Sequence, residues 1–343
     1  MWRFLLLWLG VFLLTTRADN PVRADGAKLR AAIAKSLDFL DNEADAWMNE
    51  RNCNACHHMP ELLWSHREAK KRSVPINQKK FDEFVEWSYA PGKNTKGGLE
   101  MTALLKLALP DKPAPELTKL ILDGQQPDGS WKPAGQFASM QRRDEHEAAG
   151  NSTRLFLLAL ATQDTDKRAA EEARKKAAAL IEADEPAKSL ETLVFRMLYA
   201  RRFVPREEAD ALCAGILKLQ HLDGGWAWMI GEEQSDCLAT GEVLYALQHS
   251  PDASCAGAIT LAQNWLLDRQ RKDGGWPIDI TRISRLDRRG PAKSKSFNDA
   301  TGIYTFWGSA WATIGLLQAL PIAEPLDEVG NGPEKRPLNE GCD

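Results

Sequence analysis

Gln270-Arg271-Lys272-Asp273-Gly274-Gly275-Trp276 follows an apolar helical stretch, and close copies of it occur twice earlier in the chain. They are Gln220-His221-Leu222-Asp223-Gly224-Gly225-Trp226 and Gln126-Pro127-Asp128-Gly129-Ser130-Trp131. Glycine supplies the positive φ that ends a helix. Aspartate ties such a turn to its own backbone, and tryptophan folds back as a large apolar plug between neighbouring units. Trp226 and Trp276 are 50 residues apart, and Trp131 and Trp226 are 95 apart, close to two such periods. A degenerate copy without its Trp fills the gap at Ile181-Glu182-Ala183-Asp184-Glu185-Pro186. A fixed period of this size means stacked supersecondary units.

Between these turns the chain reads as paired helices. One series is amphipathic, at about 27–42, 77–89, 114–125, 169–184, 206–220 and 254–270. The alternating series is more apolar, at about 58–69, 98–109, 151–161, 189–200, 235–248 and 300–319. Runs such as Leu155-Phe156-Leu157-Leu158-Ala159-Leu160 need burial on most sides. Six outer helices around six inner ones predict an all-α fold, an (α/α)6 toroid. An open solenoid built from the same units is the structural alternative.

The Gln-x-x-Asp-Gly-(Gly/Ser)-Trp segments resemble the QW repeats of the terpenoid cyclase and protein prenyltransferase superfamily, over about residues 27–320. The resemblance implies the toroid and a central cavity. Class II triterpene cyclases protonate substrate through an Asp-x-Asp-Asp motif, which is absent here. The nearest acids are Asp236 in Ser235-Asp236-Cys237 and Asp299 in Asn298-Asp299-Ala300. Prenyltransferases hold zinc with an Asp-x-Cys pair and a distant His, whereas Asp236 and Cys237 are adjacent.

The chain has 343 residues, 43% hydrophobic and 27% charged, with a net charge of −4. No basic excess is available to neutralise phosphates, so no nucleic-acid partner is expected. Arg3 precedes an apolar stretch from Phe4 to Leu14, too short to cross a bilayer comfortably and typical of a secretory signal peptide. The expected layout is a leader over 1–24, one toroid domain over 25–321 and an extended tail over 322–343. The mature protein is then periplasmic or secreted and keeps no membrane span. An oxidising compartment allows disulfides. Cys213 and Cys255 fall in successive outer helices and read equally well as a pair or as two buried thiols.

Cys53-Asn54-Ala55-Cys56-His57 matches the attachment pattern of c-type haem. Two thiols three residues apart can form thioethers to one haem, with His57 as the proximal iron ligand. This reads Cys53, Cys56 and His57 as cofactor-binding residues and His57 as the metal ligand. Two other readings stay open. One is a disulfide or redox-active thiol pair; the other is a zinc or other metal site that also draws on His58. Trp47 and Trp64 would wall such a group.

The starts of the inner helices carry polar groups, with Glu100, Ser152 and Glu191 in equivalent register. They read as helix caps and first-turn acids or as a polar ring lining a pocket. Asp236, Asp299 and Tyr304 are the candidate catalytic groups. The expected function is an exported haem c protein with electron-transfer or haem-linked redox activity and a periplasmic redox partner. The alternatives are a non-redox protein holding a lipid, isoprenoid or peptide, and a divergent cyclase or lyase. In either alternative an apolar small molecule occupies the toroid cavity.

Overall fold

The computed structural model describes residues 25–50, 58–90, 98–134, 142–143, 145–162, 165–183, 185–248, 253–283 and 291–323, with side chains of the last segment from residue 300 onward. Among these residues there are twelve α-helices and no sheet. Outer helices are α1 (Gly26–Glu50), α3 (Gln78–Tyr89), α5 (Pro115–Asp123), α7 (Lys167–Glu182), α9 (Arg206–Leu217) and α11 (Ala256–Arg269). Inner helices are α2 (Met59–Lys71), α4 (Leu99–Ala108), α6 (Glu145–Leu160), α8 (Leu190–Phe203), α10 (Cys237–Gln248) and α12 (Pro291–Leu317). Each inner helix packs on the next, and α12 returns to α2. The ring is therefore closed, and the open solenoid is excluded.

The predicted helix pairs are all present. Three helices run longer than their apolar patterns: α1 extends to Glu50, α6 begins at Glu145 and α12 begins at Pro291. In α12 the proline at the first position has no N–H to lose, so it starts the helix rather than belonging to a loop.

The repeated turns work as clamps. Each tryptophan indole donates to a carbonyl ten residues back: Trp131 to Ile121 at 2.7 Å, Trp226 to Ile216 at 2.9 Å, Trp276 to Leu266 at 2.8 Å. All three rings are essentially fully buried, so each adds a few kcal/mol of apolar burial. Each turn's glutamine amide donates both within its own turn and to the next outer helix. Gln125 reaches Ala173 O at 2.8 Å, Gln220 reaches Ala258 O at 2.9 Å and Gln270 reaches Ala32 O at 2.8 Å. In the first copy the clamping residue is Gln125, so the repeat begins one position before Gln126. The third clamp joins α11 back to α1 and seals the outer ring.

Glycine is required where these turns meet the neighbouring helix. Gly274 has φ +96, and a Cβ there would stand 2.2 Å from Lys35 O. Inside the ring, a Cβ on Gly241 would meet the Trp311 backbone at 2.4 Å. The missing side chain lets α10 and α12 approach closely.

At the C-terminal ends of the inner helices, side chains cap the carbonyls of their neighbours. Arg67 of α2 donates to Leu107 O and Ala108 O of α4 at 2.5 and 2.8 Å. Arg201 of α8 donates to Ala246 O of α10, and Gln248 of α10 to Gly315 O of α12 at 2.7 Å. Gln318 then donates to Glu68 of α2 at 3.1 Å. Cations suit these ends because the helix dipoles leave them negative.

Candidate functional site

The inner ring encloses a cavity of about 460 Å³, to which all six inner helices contribute lining residues. Its walls are apolar: Leu104, Leu107, Leu155, Leu158, Val194 and Leu198. Three aromatic residues close one side. Trp64 lies 5.6 Å from Tyr245 and 5.4 Å from Trp311, and Tyr245 lies 5.8 Å from Trp311. Arg67, Lys71, Arg201 and Arg202 stand at the mouth, towards the C-terminal ends of α2 and α8. Glu191 and Glu242 form the floor. Along α8, ten residues separate Glu191 from Arg201, so floor and mouth are roughly 15 Å apart at ~1.5 Å per residue.

The two floor acids have different surroundings. Glu191 makes a bidentate ion pair with Arg143, Nε to Oε2 and Nη2 to Oε1, both 2.5 Å. Asn151 adds a 3.3 Å hydrogen bond to the same carboxylate. Glu242 is 5% exposed, and its Oε2 is buried without a hydrogen-bond partner. Burial first, then the Glu191 carboxylate, push its carboxyl well above the ordinary range. Both causes favour the neutral carboxylic acid form of Glu242 over the carboxylate. Glu61, on α2, is a second such group: burial raises it to about 8, and its Oε2 has no partner.

Of the polar ring expected at the inner-helix starts, Glu191 lines the cavity while Glu100 and Ser152 do not, and Ser152 lies about two turns inside α6. Ser152 donates to Glu100 at 3.2 Å, and Asn151 reaches Thr192 at 3.0 Å. The cavity mouth is at the opposite ends of the helices, where Lys71 is exposed.

Asp236 is not a cavity acid. Its Oδ1 accepts from Ala239 N at 2.8 Å and caps α10, while its Oδ2 accepts from Trp228 N at 2.7 Å. Burial still raises it to about 6. Tyr304 is fully buried, edge-on to Trp307 at 5.1 Å, and does not line the cavity. Asp299 lies on α12, and its side chain is outside the described residues. Glu242 and Arg143 went unread in the sequence. The signal for Glu242 was one acid within the apolar run from Leu238 to Leu247 of an inner helix. Arg143 precedes α6 in a loop and gave none.

Cys53, Cys56 and His57 lie outside the described residues, as do residues 1–24, where a leader is expected, and those beyond Ala323. The ground next to the motif is described. His58 is 3% exposed, stacked on Trp47 at 4.5 Å and against Phe306 at 4.0 Å. Trp47 thus packs on His58. Among the described residues no group of three His, Cys, Asp or Glu side chains is placed to hold a metal ion. Among them, too, no helix is long and apolar enough to cross a membrane.

No protein-family model and no curated relative matches this sequence. Solved structures do match in fold. A variant of the type II terpene cyclase MstE from Scytonema, in complex with its product merosterolic acid A, aligns with a TM-score of 0.57 at 15% identity, covering 87% of this chain and 98% of that one. A second variant, with the substrate geranylgeranyl dihydroxybenzoate, gives 0.54 at 14%, covering 87% and 99%. A possible member of the GH105 family from Klebsiella pneumoniae gives 0.54 at 12%, covering 93% and 99%. The chain is an (α/α)6 toroid resembling type II terpene cyclases. These findings correct the expectation of a covalent haem c protein with electron-transfer activity. The likeness covers 87% of the chain, and the bound molecules in those cyclases are isoprenoids, not haem. No finding supports the periplasmic redox partner expected beside the haem.

Proposed function

We propose that the cavity binds an elongated, largely apolar molecule of isoprenoid type and that Glu242 protonates it, making this a divergent acid-initiated cyclase. The observation that carries the reading is the Glu242 carboxyl: buried, with Oε2 unpartnered, at the floor of an apolar cavity, where burial and the Glu191 carboxylate favour its neutral form. An acid so placed can give its proton to an alkene carbon, because the walls are apolar and the neighbouring floor carboxylate, Glu191, is engaged by Arg143. The cation formed would lie beside Trp64, Tyr245 and Trp311, whose ring faces stabilise positive charge. Ring closure moves the charge, and loss of a proton from a neighbouring carbon regenerates the acid, so substrate and product are isomers. Arg143 is paired with Glu191, and burial together with the Glu191 carboxylate raises the neighbouring Glu242.

The isoprenoid substrate and product of the Scytonema cyclase support this ligand class. Sugars, the ligand class of glycosidases sharing the fold, would meet leucine walls without hydrogen-bonding partners. The cations at the mouth favour a ligand with an anionic end. Binding is read from the fluorescence of Trp64 and Trp311 on addition of geranylgeranyl dihydroxybenzoate. Saturable quenching in wild type and in Glu242→Gln, with turnover in wild type alone, supports the reading. Absence of quenching counts against it.

A further inference from the structure

A pair of thiols lies outside the cavity and plays no part in the reaction above. Cys213 is on α9, and Cys255 ends a short 3-10 turn (Ala253–Cys255) leading into α11. Both are fully buried, and their sulfurs are 3.0 Å apart across 42 residues of chain. We propose that Cys213 and Cys255 are joined by a disulfide in the mature protein.

A disulfide bond is ~2.05 Å long, so the sulfurs need to approach by only about 1 Å. An S–H donor and a sulfur acceptor are both weak partners, so hydrogen bonding alone is a poor reason to hold them this near. The competing description is of two small apolar side chains that happen to meet. Cys237 shows what such a residue looks like here. It is 1% exposed, and its sulfur faces the carbonyls of Trp276 and Pro277 at 3.8 Å. Burial pushes its thiol well up, so it is a poor nucleophile. Cys237 is thus an internal control for an inert buried thiol.

Bond formation needs an oxidant, and a disulfide-bearing one of protein or glutathione type suffices. One Cys thiolate attacks a sulfur of that disulfide and expels a thiolate. The second Cys thiolate then attacks the mixed disulfide and expels the other. The two cysteines lose two protons and two electrons, and the oxidant becomes two thiols. Because both sulfurs are fully enclosed in the fold, the exchange belongs to folding, before α9 and α11 dock. The bond is then a structural cross-link between two outer helices rather than a cycling redox pair. The secretory leader read at Phe4–Leu14 fits an oxidising compartment for this chemistry.

The test uses the full chain exported to a bacterial periplasm and purified without reductant. It is unfolded in an alkylating agent and cut by a protease that cleaves between Cys237 and Cys255. The expected result is one cross-linked peptide pair carrying Cys213 and Cys255, lost on reduction, with Cys237 alkylated. Alkylation of Cys213 and Cys255 to the same extent as Cys237, or either one cross-linked elsewhere, overturns the proposal. As a second readout, reductant should lower the wild-type Tm by roughly 5–10 °C, as expected for closing a loop of this length. The Cys213→Ser/Cys255→Ser chain should show no such shift. An equal shift in both would also overturn the proposal. Neither outcome depends on what the cavity binds.

Discussion

Arg143 grips Glu191 through two parallel hydrogen bonds of 2.5 Å, in surroundings where neither side chain is more than 6% exposed. The pair links the loop before α6 to the first turn of α8. It also sets the two floor carboxyls apart, Glu191 paired with Arg143 and Glu242 with an unpartnered Oε2. Removing one partner leaves a buried charge unmatched. Arg143→Met should therefore cost about 3–5 kcal/mol of stability, and Arg143→Met/Glu191→Leu should recover most of it. Urea denaturation of the two variants and wild type measures this. A double variant no better than the single would show that the pair is not what matters.

Glu61 sets a pH dependence. Its carboxyl is raised by burial from 4.5 to about 8. Below about pH 4.5 both folded and unfolded chains carry its proton. Above that, the unfolded chain releases the proton while the folded one keeps it, so stability falls until about pH 8. Glu61→Gln removes this loss. It should match wild type near pH 4 and exceed it increasingly, by ~1.4 kcal/mol per pH unit at most, towards pH 8. Denaturation midpoints at pH 4, 6 and 8 provide the check. A constant offset across the three would contradict it.

Gly274→Ala tests the outer-ring seam. Its φ of +96 disfavours any side chain, and the new Cβ would stand 2.2 Å from Lys35 O. The neighbouring clamp from Gln270 to Ala32 O, across 238 residues, would be pushed open. A loss of about 2–4 kcal/mol is expected from backbone strain together with a broken hydrogen bond. Gly257→Ala, on an open face of α11 with nothing within 4 Å, serves as control and should be neutral or mildly stabilising.

Val194→Phe should fill part of the cavity without disturbing the outer core, since Val194 lines that space. Ligand quenching of tryptophan fluorescence should weaken at least tenfold while Tm changes little. Unchanged affinity would mean that the ligand lies elsewhere.

Much of the ring was legible in the sequence because its clamps are local. Glutamine, aspartate, glycine and tryptophan each do a separate task within seven residues, and the spacing between copies counts the units. The first-turn places of Glu100 and Glu191 were also legible from where their apolar runs start, whereas α6 begins at Glu145 and leaves Ser152 about two turns inside its helix. The floor was not legible. Glu242 is set in mid-helix among apolar neighbours, and its role depends on Glu191 and Arg143, which arrive from elements 51 and 99 residues away in sequence. Cys53-Asn54-Ala55-Cys56-His57 misled for the complementary reason. A five-residue pattern fixes local spacing alone and carries nothing of the fold around it.

The most direct test of Glu242 as a proton donor is incubation in D2O with a panel of all-trans polyprenyl compounds, geranylgeranyl dihydroxybenzoate among them, followed by mass spectrometry of the products. The proposed acid should convert at least one compound to a cyclic isomer carrying one carbon-bound deuterium, and Glu242→Gln should abolish that conversion while still binding the compound. A wild-type protein that leaves the whole panel unchanged, or a Glu242→Gln variant that cyclises as well as wild type, would contradict the account.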